Sequence, residues 1–218
     1  MKTADDPSIF QQFANQSGKQ LDDFIAKDVK VYDFAVEPPF ITVVGRLDAS
    51  SVGKIKAVQE QLESADPNQF YYPVSLYHLT ILGRIPSTLD QATLFSTLDE
   101  VLREKMTFHL EGVATNQLTS SVSAYPQDFS LYQLRQSIRR QLSIEGDDYA
   151  KHLAPYEYMG WVNLLRYLQV PTQSFIDTLK AYRTTDFGTL KISTIEVYLL
   201  QKRILDPAFS TCIHTIQL

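Results

Sequence analysis

The string Tyr77-His78-Leu79-Thr80-Ile81-Leu82-Gly83-Arg84 holds the residue types best suited to chemistry in this chain. A neutral imidazole takes a proton from a hydroxyl near neutral pH. A threonine hydroxyl bonds a phosphate oxygen, and an arginine holds one with charge-assisted bonds. Successive side chains of a strand alternate faces, so His78 and Thr80 share one face, about 6–7 Å apart, and Leu79 and Ile81 share the other. Arg84 has the parity of His78 if the strand stays regular past Gly83. The three polar groups then make a phosphate site. The plain alternative is a polar stripe on a half-exposed strand.

The elements that must position this string follow from periodicity. Residues 1 to 35 form an N-terminal helical extension, with Ile9, Phe10, Phe13, Leu21, Phe24 and Ile25 at helical spacing and Gly18 as a break. Its aromatics are expected to pack on the main domain, which spans residues 36–218. Phe40–Leu47 reads as a strand rich in β-branched residues. Asp48 or Ser50 then caps a helix carrying Ile55, Val58 and Leu62 on one face. The strand from Pro73 to Ile85 follows, and Pro86 and Ser87 open a helix over 87–105.

The order then repeats. Two strands lie around 107–115 and 120–126, a helix over 130–143 turns Leu131, Leu134, Ile138 and Leu142 inward, and 158–168 is a strand. A helix over 174–184 and two last strands, 191–203 and 209–218, complete the chain. No repeat of solenoid period is present. Helices between consecutive strands cover one face of a sheet. Two such lobes can turn their open faces toward a shared cleft, the default place for a ligand.

Composition narrows the function classes. The chain has 218 residues, enough to bury roughly 70% of the surface an unfolded chain exposes. Its formal charge of -5 argues against a broad footprint for long duplex DNA but allows a small phosphate pocket. The single cysteine, Cys212, is expected to be a small buried hydrophobe. The N-terminal stretch lacks the apolar run of a signal peptide, and nothing approaches the roughly 18 apolar residues of a membrane span. The expectation is a cytoplasmic protein.

His-Leu-Thr inside a strand, in this order of elements, resembles the 2H phosphoesterases, the family of the LigT-like RNA ligases and cyclic phosphodiesterases. The resemblance covers roughly residues 38–218. It implies an α+β, two-lobed fold with pseudo-two-fold antiparallel sheets around a central cleft. It also implies two His-x-Thr motifs, one per lobe. Their histidines act as acid and base at a phosphodiester or cyclic phosphate, their threonines bind phosphate, and no metal or other cofactor is required. His78 and Thr80 then take the catalytic roles of the first motif. At the place of the second stand Trp161-Val162-Asn163, trailed by Arg166. Indole does not titrate, so Trp161 is neither acid nor base. Asn163 can still hydrogen-bond a phosphate oxygen. Loss of one acid or base typically costs about 10²–10⁴ in rate.

Other groups are candidates by parity or neighbourhood. His109 and Glu111 share a strand face, as do Glu196 and Tyr198, and Tyr198 is a candidate ligand-binding residue. His152 falls in a loop and His214 in the last strand. Gly53-Lys54 lacks the rest of a phosphate-binding loop, no zinc spacing is present, and Arg135, Arg139 and Arg140 read as the solvated face of one helix. Three readings stay open. The chain is a metal-independent phosphoesterase acting on a nucleotide, a cyclic phosphate or a short RNA end. Alternatively it is a binding module with Trp161 stacked on a base and His78, Thr80, Asn163 and Arg84 around the phosphate. The third reading is a scaffold with a vestigial cleft.

Overall fold

Alternating apolar residues put most strands where the sequence places them. The computed structural model describes residues 12, 13, 15, 19, 29–127, 130–144, 155–202 and 204–218. Strand β1 (Phe40–Arg46) leads into helix α1 (Ala49–Ala65), whose N-cap Asp48 accepts from the Ser51 amide at 2.8 Å. A two-residue strand β2 (Phe70–Tyr71) and a 3-10 turn (Val74–Leu76) precede β3 (His78–Pro86). The strand expected from Pro73 therefore starts five residues later, because the turn consumes its first part. Helix α2 (Gln91–Val101) is shorter than the 87–105 expected. Asp90, not Ser87, caps it, accepting from Thr93 N at 2.8 Å, since Pro86 still belongs to β3.

Strands β4 (Met106–Thr115) and β5 (Thr119–Pro126) form a hairpin, followed by α3 (Ser130–Gln141). A short helix α4 (Pro155–Tyr158) leads into β6 (Gly160–Arg166), then α5 (Gln173–Ala181). Strands β7 (Asp186–Ile192), β8 (Thr194–Leu200) and β9 (Ser210–Gln217) end the chain. The periodicity predicts two strands here, not three. Ser193 divides one apparent run into β7 and β8, which join different partners.

The strand order is β7-β4-β5-β6-β3-β1-β8-β9, with β2 beside β6, and every pairing is antiparallel. The order is symmetric about its centre: β6-β5-β4-β7 on one side matches β3-β1-β8-β9 on the other. The two lobes are thus halves of one hydrogen-bonded path, joined edge to edge, rather than two separate sheets facing each other. One ladder pair, Leu79 with Val162, makes the joint. Gly160 permits the close approach: a Cβ there would lie 2.9 Å from three atoms of the Leu79 side chain.

Helices cover one face. Leu79, Ile81, Val162 and Leu164 are fully buried in a core that includes Ile55 and Leu62 of α1, Leu98 of α2, Leu131 and Ile138 of α3 and Leu179 of α5. Burying each such side chain contributes roughly 1.5–3 kcal/mol. A smaller cluster, Val44, Leu200 and Leu205, forms separately, with Phe40, Leu76 and Tyr198 against it. Cys212 is exposed, contrary to expectation, because β9 is an outer strand. Of the expected N-terminal helical extension, Ile9, Phe10, Gly18, Leu21, Phe24 and Ile25 lie outside the described residues. Phe13 is described and buried, and residues 29–35 are not helical. Tyr32 within them packs into the main core.

Candidate functional site

The joint between lobes sets the site. Leu79 and Val162 are the middle residues of the strings His78-Leu79-Thr80 and Trp161-Val162-Asn163. An antiparallel register centred on that pair sets His78 alongside Asn163 and Thr80 alongside Trp161. These four side chains line one pocket of about 250 Å³, opposite the buried Leu79 and Val162. Alternation therefore distributes the two strings as the sequence indicates.

Past the strings, alternation breaks in both strands. On β3, Thr80 pairs with Val44 but Leu82 with Val43. On β6, Asn163 pairs with Ser121 but Leu165 with Ser120. Each slip is a bulge that sends two successive residues inward, Ile81-Leu82 and Leu164-Leu165. The next residue returns to the pocket, Gly83 on β3 and Arg166 on β6. The counterpart of Arg166 is thus Gly83, not Arg84. Arg84 sits in the left-handed region at φ 56°, reached through a second register shift. It borders the pocket while pairing with Glu37 at 3.2 Å and lying over the Phe40 ring at 5.6 Å.

Arg166 is the cation the sequence underrates. Its Nε donates to Tyr72 Oη at 2.9 Å, and the guanidinium carbon lies 4.9 Å from the centre of the Tyr32 ring. Neither partner is charged, and no carboxylate among the described residues pairs with it. No Asp or Glu is among the described residues lining the pocket. Thr80 and Ser121 bring hydroxyls without a partner among the described residues. Asn163 Oδ1 accepts from Thr119 Oγ1 at 3.3 Å, which leaves its amide nitrogen as a donor. Such a set favours an anion.

His78 Nδ1 lies 2.7 Å from Leu76 O. A carbonyl only accepts, so Nδ1 carries the proton and Nε2 keeps its lone pair in the neutral ring. Burial lowers the His78 pKa to about 4; the nearby charges of Arg46 and Arg166 push the same way, while the Leu76 hydrogen bond and Glu196 oppose. At neutral pH the ring is a base, and its protonated form is scarce.

The pocket walls are apolar: Phe40, Leu200, Ile204 and Leu205 on one side, and Phe13, edge-on to Tyr125 at 6.3 Å, on the other. Tyr198, read as a ligand-binding residue, is not among the lining residues. Its hydroxyl accepts from Arg46 at 2.6 Å and donates to Glu196 at 2.8 Å, so it is engaged beside the pocket although Leu200 of the same strand lines it. His109 lies on β4 near Glu111 and Asp186, at 3.6 and 3.8 Å, and His214 pairs with Asp99 at 2.9 Å; neither lines the pocket. His152 lies outside the described residues. Lys54 is helical and donates to Phe187 O. Among the described residues no cluster of three metal-ligating side chains exists, and no helix is long and apolar enough to cross a membrane.

Arg135 is the clearest reversal of a sequence reading. It is 4% exposed rather than solvated. Its guanidinium donates to Ile81 O at 2.6 Å and Thr80 O at 3.0 Å, and to Glu157 O and Met159 O at 2.9 Å each. A five-donor guanidinium satisfies these four buried or part-buried carbonyls at once. Arg135 thereby ties β3 to the entry of β6. Arg139 pairs with the Glu157 carboxylate beside it.

No family model matches the sequence, and no curated protein matches it. Solved structures do match. A crystal structure of a phosphoesterase superposes with a TM-score of 0.56 at 15% identity, covering 84% of this chain and 99% of the other. Escherichia coli LigT complexed with NADP+ gives 0.55 at 14% identity, with coverages of 84% and 99%. A protein from Thermus thermophilus gives 0.58 at 12% identity, with coverages of 82% and 97%. The likeness runs over nearly the whole length of those proteins. The chain therefore has the 2H phosphoesterase fold of the LigT type.

Proposed function

We propose that the pocket at the lobe joint binds the phosphate of a nucleotide, a cyclic phosphate or a short RNA end, with His78 as a lone general base. The observation that carries this reading is the pairing of an Nδ1-protonated His78 with a pocket that, among the described residues, has no carboxylate in its lining and meets Arg166 with neutral partners. Thr80, Asn163 and Arg166 hold the phosphate oxygens. Trp161 stacks on the base, a contact worth about 1–3 kcal/mol. Structures of E. coli LigT carry ATP, phosphate and 3'-AMP, which supports a phosphate-bearing ligand on this fold.

The chemistry is asymmetric. In hydrolysis of a 2',3'-cyclic phosphate, His78 Nε2 takes the proton of the attacking water as its oxygen bonds phosphorus. One ribose oxygen leaves and needs a proton. The titratable side chains among the described lining residues are His78, Arg84 and Arg166, and neither arginine gives up a proton near neutral pH. Solvent must supply it, so turnover is slow. This favours binding with weak hydrolysis over the full two-histidine reaction.

The test is calorimetric titration with 3'-AMP and with adenosine, beside a metal-free turnover assay on 2',3'-cyclic nucleotides. Tighter binding of 3'-AMP and slow, His78-dependent turnover are expected. Equal affinity for nucleotide and nucleoside would overturn the phosphate assignment.

A further inference from the structure

The groups behind His78 form a connected set outside the pocket. Arg46 stands opposite His78 in the β1–β3 ladder. Its Nη1 donates to Ser75 O at 3.1 Å and to Tyr77 O at 3.5 Å. The carbonyl between them, Leu76 O, is the one that accepts from His78 Nδ1. On its other side the guanidinium donates from Nε to Glu196 at 2.5 Å and from Nη2 to Tyr198 Oη at 2.6 Å. Tyr198 in turn donates to the same carboxylate oxygen of Glu196.

The 3-10 turn that presents Leu76 O needs outside support. It spans three residues, none of them buried, and no side chain caps its start. A lone turn of that kind is a weak fixture for an imidazole. Arg46 grips the turn on both sides of the accepting carbonyl. We propose that Arg46, oriented by Glu196 and Tyr198, is a positioning residue that locks His78 in its Nδ1-protonated tautomer and so keeps Nε2 as the acceptor. The proposal rests on the reading of His78 as a base. Lysine cannot replace Arg46, because an ammonium lacks the planar fork that reaches two carbonyls, a carboxylate and a phenol together.

Nitrogen-15 NMR of the histidine rings, recorded beside steady-state kinetics on a 2',3'-cyclic nucleotide, tests the proposal. The wild-type chain is expected to show the Nδ1-protonated pattern for His78. Arg46→Ala should give a mixture of tautomers and lower kcat about 10- to 100-fold with KM little changed, the cost of a misplaced catalytic group. Arg46→Lys should recover little, and Glu196→Gln should fall between Arg46→Ala and wild type. Should Arg46→Ala fail to fold by circular dichroism, Glu196→Gln, at a partly exposed position, carries the same tautomer readout. A wild-type tautomer and wild-type kcat in both variants would overturn the proposal. If His78→Ala itself leaves turnover unchanged, the base assignment fails, and the tautomer spectra still decide whether Arg46 orients the ring.

Discussion

Strands β3 and β6 meet at the centre of the sheet and share one backbone design. Each carries two pocket-facing residues around a buried one, then a bulge with two buried residues, then a return to the pocket. Their side chains diverge completely. The β3 strand brings His78, Thr80 and Gly83, whereas β6 brings Trp161, Asn163 and Arg166. One strand holds a base and no cation at the return position; the other holds a cation and no titratable acid. The buried residues and bulges fix the geometry of both strands, while the few residues facing the pocket set its chemistry. The chemistry can therefore be lost on one strand without loss of the fold.

Restoring the symmetry should give the largest effect. Trp161→His together with Asn163→Thr supplies the missing acid beside Thr80, and hydrolysis of a cyclic nucleotide should rise by about 10²–10⁴. A rate that stays at the wild-type level, in a variant whose histidine is shown to titrate, would mean that the two strands are not catalytic counterparts.

Removing the cation of β6 should come next. Charge-assisted hydrogen bonds contribute about 1.5–3 kcal/mol, so Arg166→Met should weaken 3'-AMP roughly 10- to 100-fold. Adenosine binding should change little. Arg84→Met should cost far less, because Arg84 is paired with Glu37 at the pocket rim. Equal losses for the two variants would place the phosphate elsewhere.

The pH dependence sharpens the assignment on β3. With its pKa lowered to about 4 by burial, His78 is neutral and basic at pH 5 and above. Turnover should therefore stay level from pH 8 to about 5 and decline toward pH 4, not near the ordinary histidine value of about 6.5. The linkage to stability has the matching sign. The unfolded chain binds this proton more readily, so the contribution is whole above about pH 6.5 and fades as pH falls toward 4. Replacing His78 by Gln should flatten the stability profile over that window.

Most of the site is legible in the sequence up to the bulges. Period-two alternation is enough for the facing of His78, Thr80, Trp161 and Asn163, and the repeated order of elements is enough for the two lobes. A bulge is decided by the register with a neighbouring strand, so counting along β3 alone assigns Arg84 the place that Gly83 holds. The same limit hides Arg135. Its helix position reads as solvated, but its partners are carbonyls of β3 and of the segment entering β6, far from it in the sequence. Tyr198 has the parity of Leu200, which does line the pocket, but its hydroxyl is held by Arg46 and Glu196, partners that parity along one strand does not reveal. Strand β7 merges with β8 in the sequence because a single serine separates two runs of similar composition.

The division of labour between the strands is tested most directly by measuring binding and metal-free turnover of one 2',3'-cyclic nucleotide in wild type, His78→Ala and Trp161→Ala. The two variants should fail in opposite ways. Removing His78 should abolish turnover and leave affinity within a few-fold. Removing Trp161 should weaken binding by about 1–3 kcal/mol while turnover at saturation persists. Turnover that survives in His78→Ala, or affinity that survives in Trp161→Ala, would contradict the assignment of base to β3 and grip to β6.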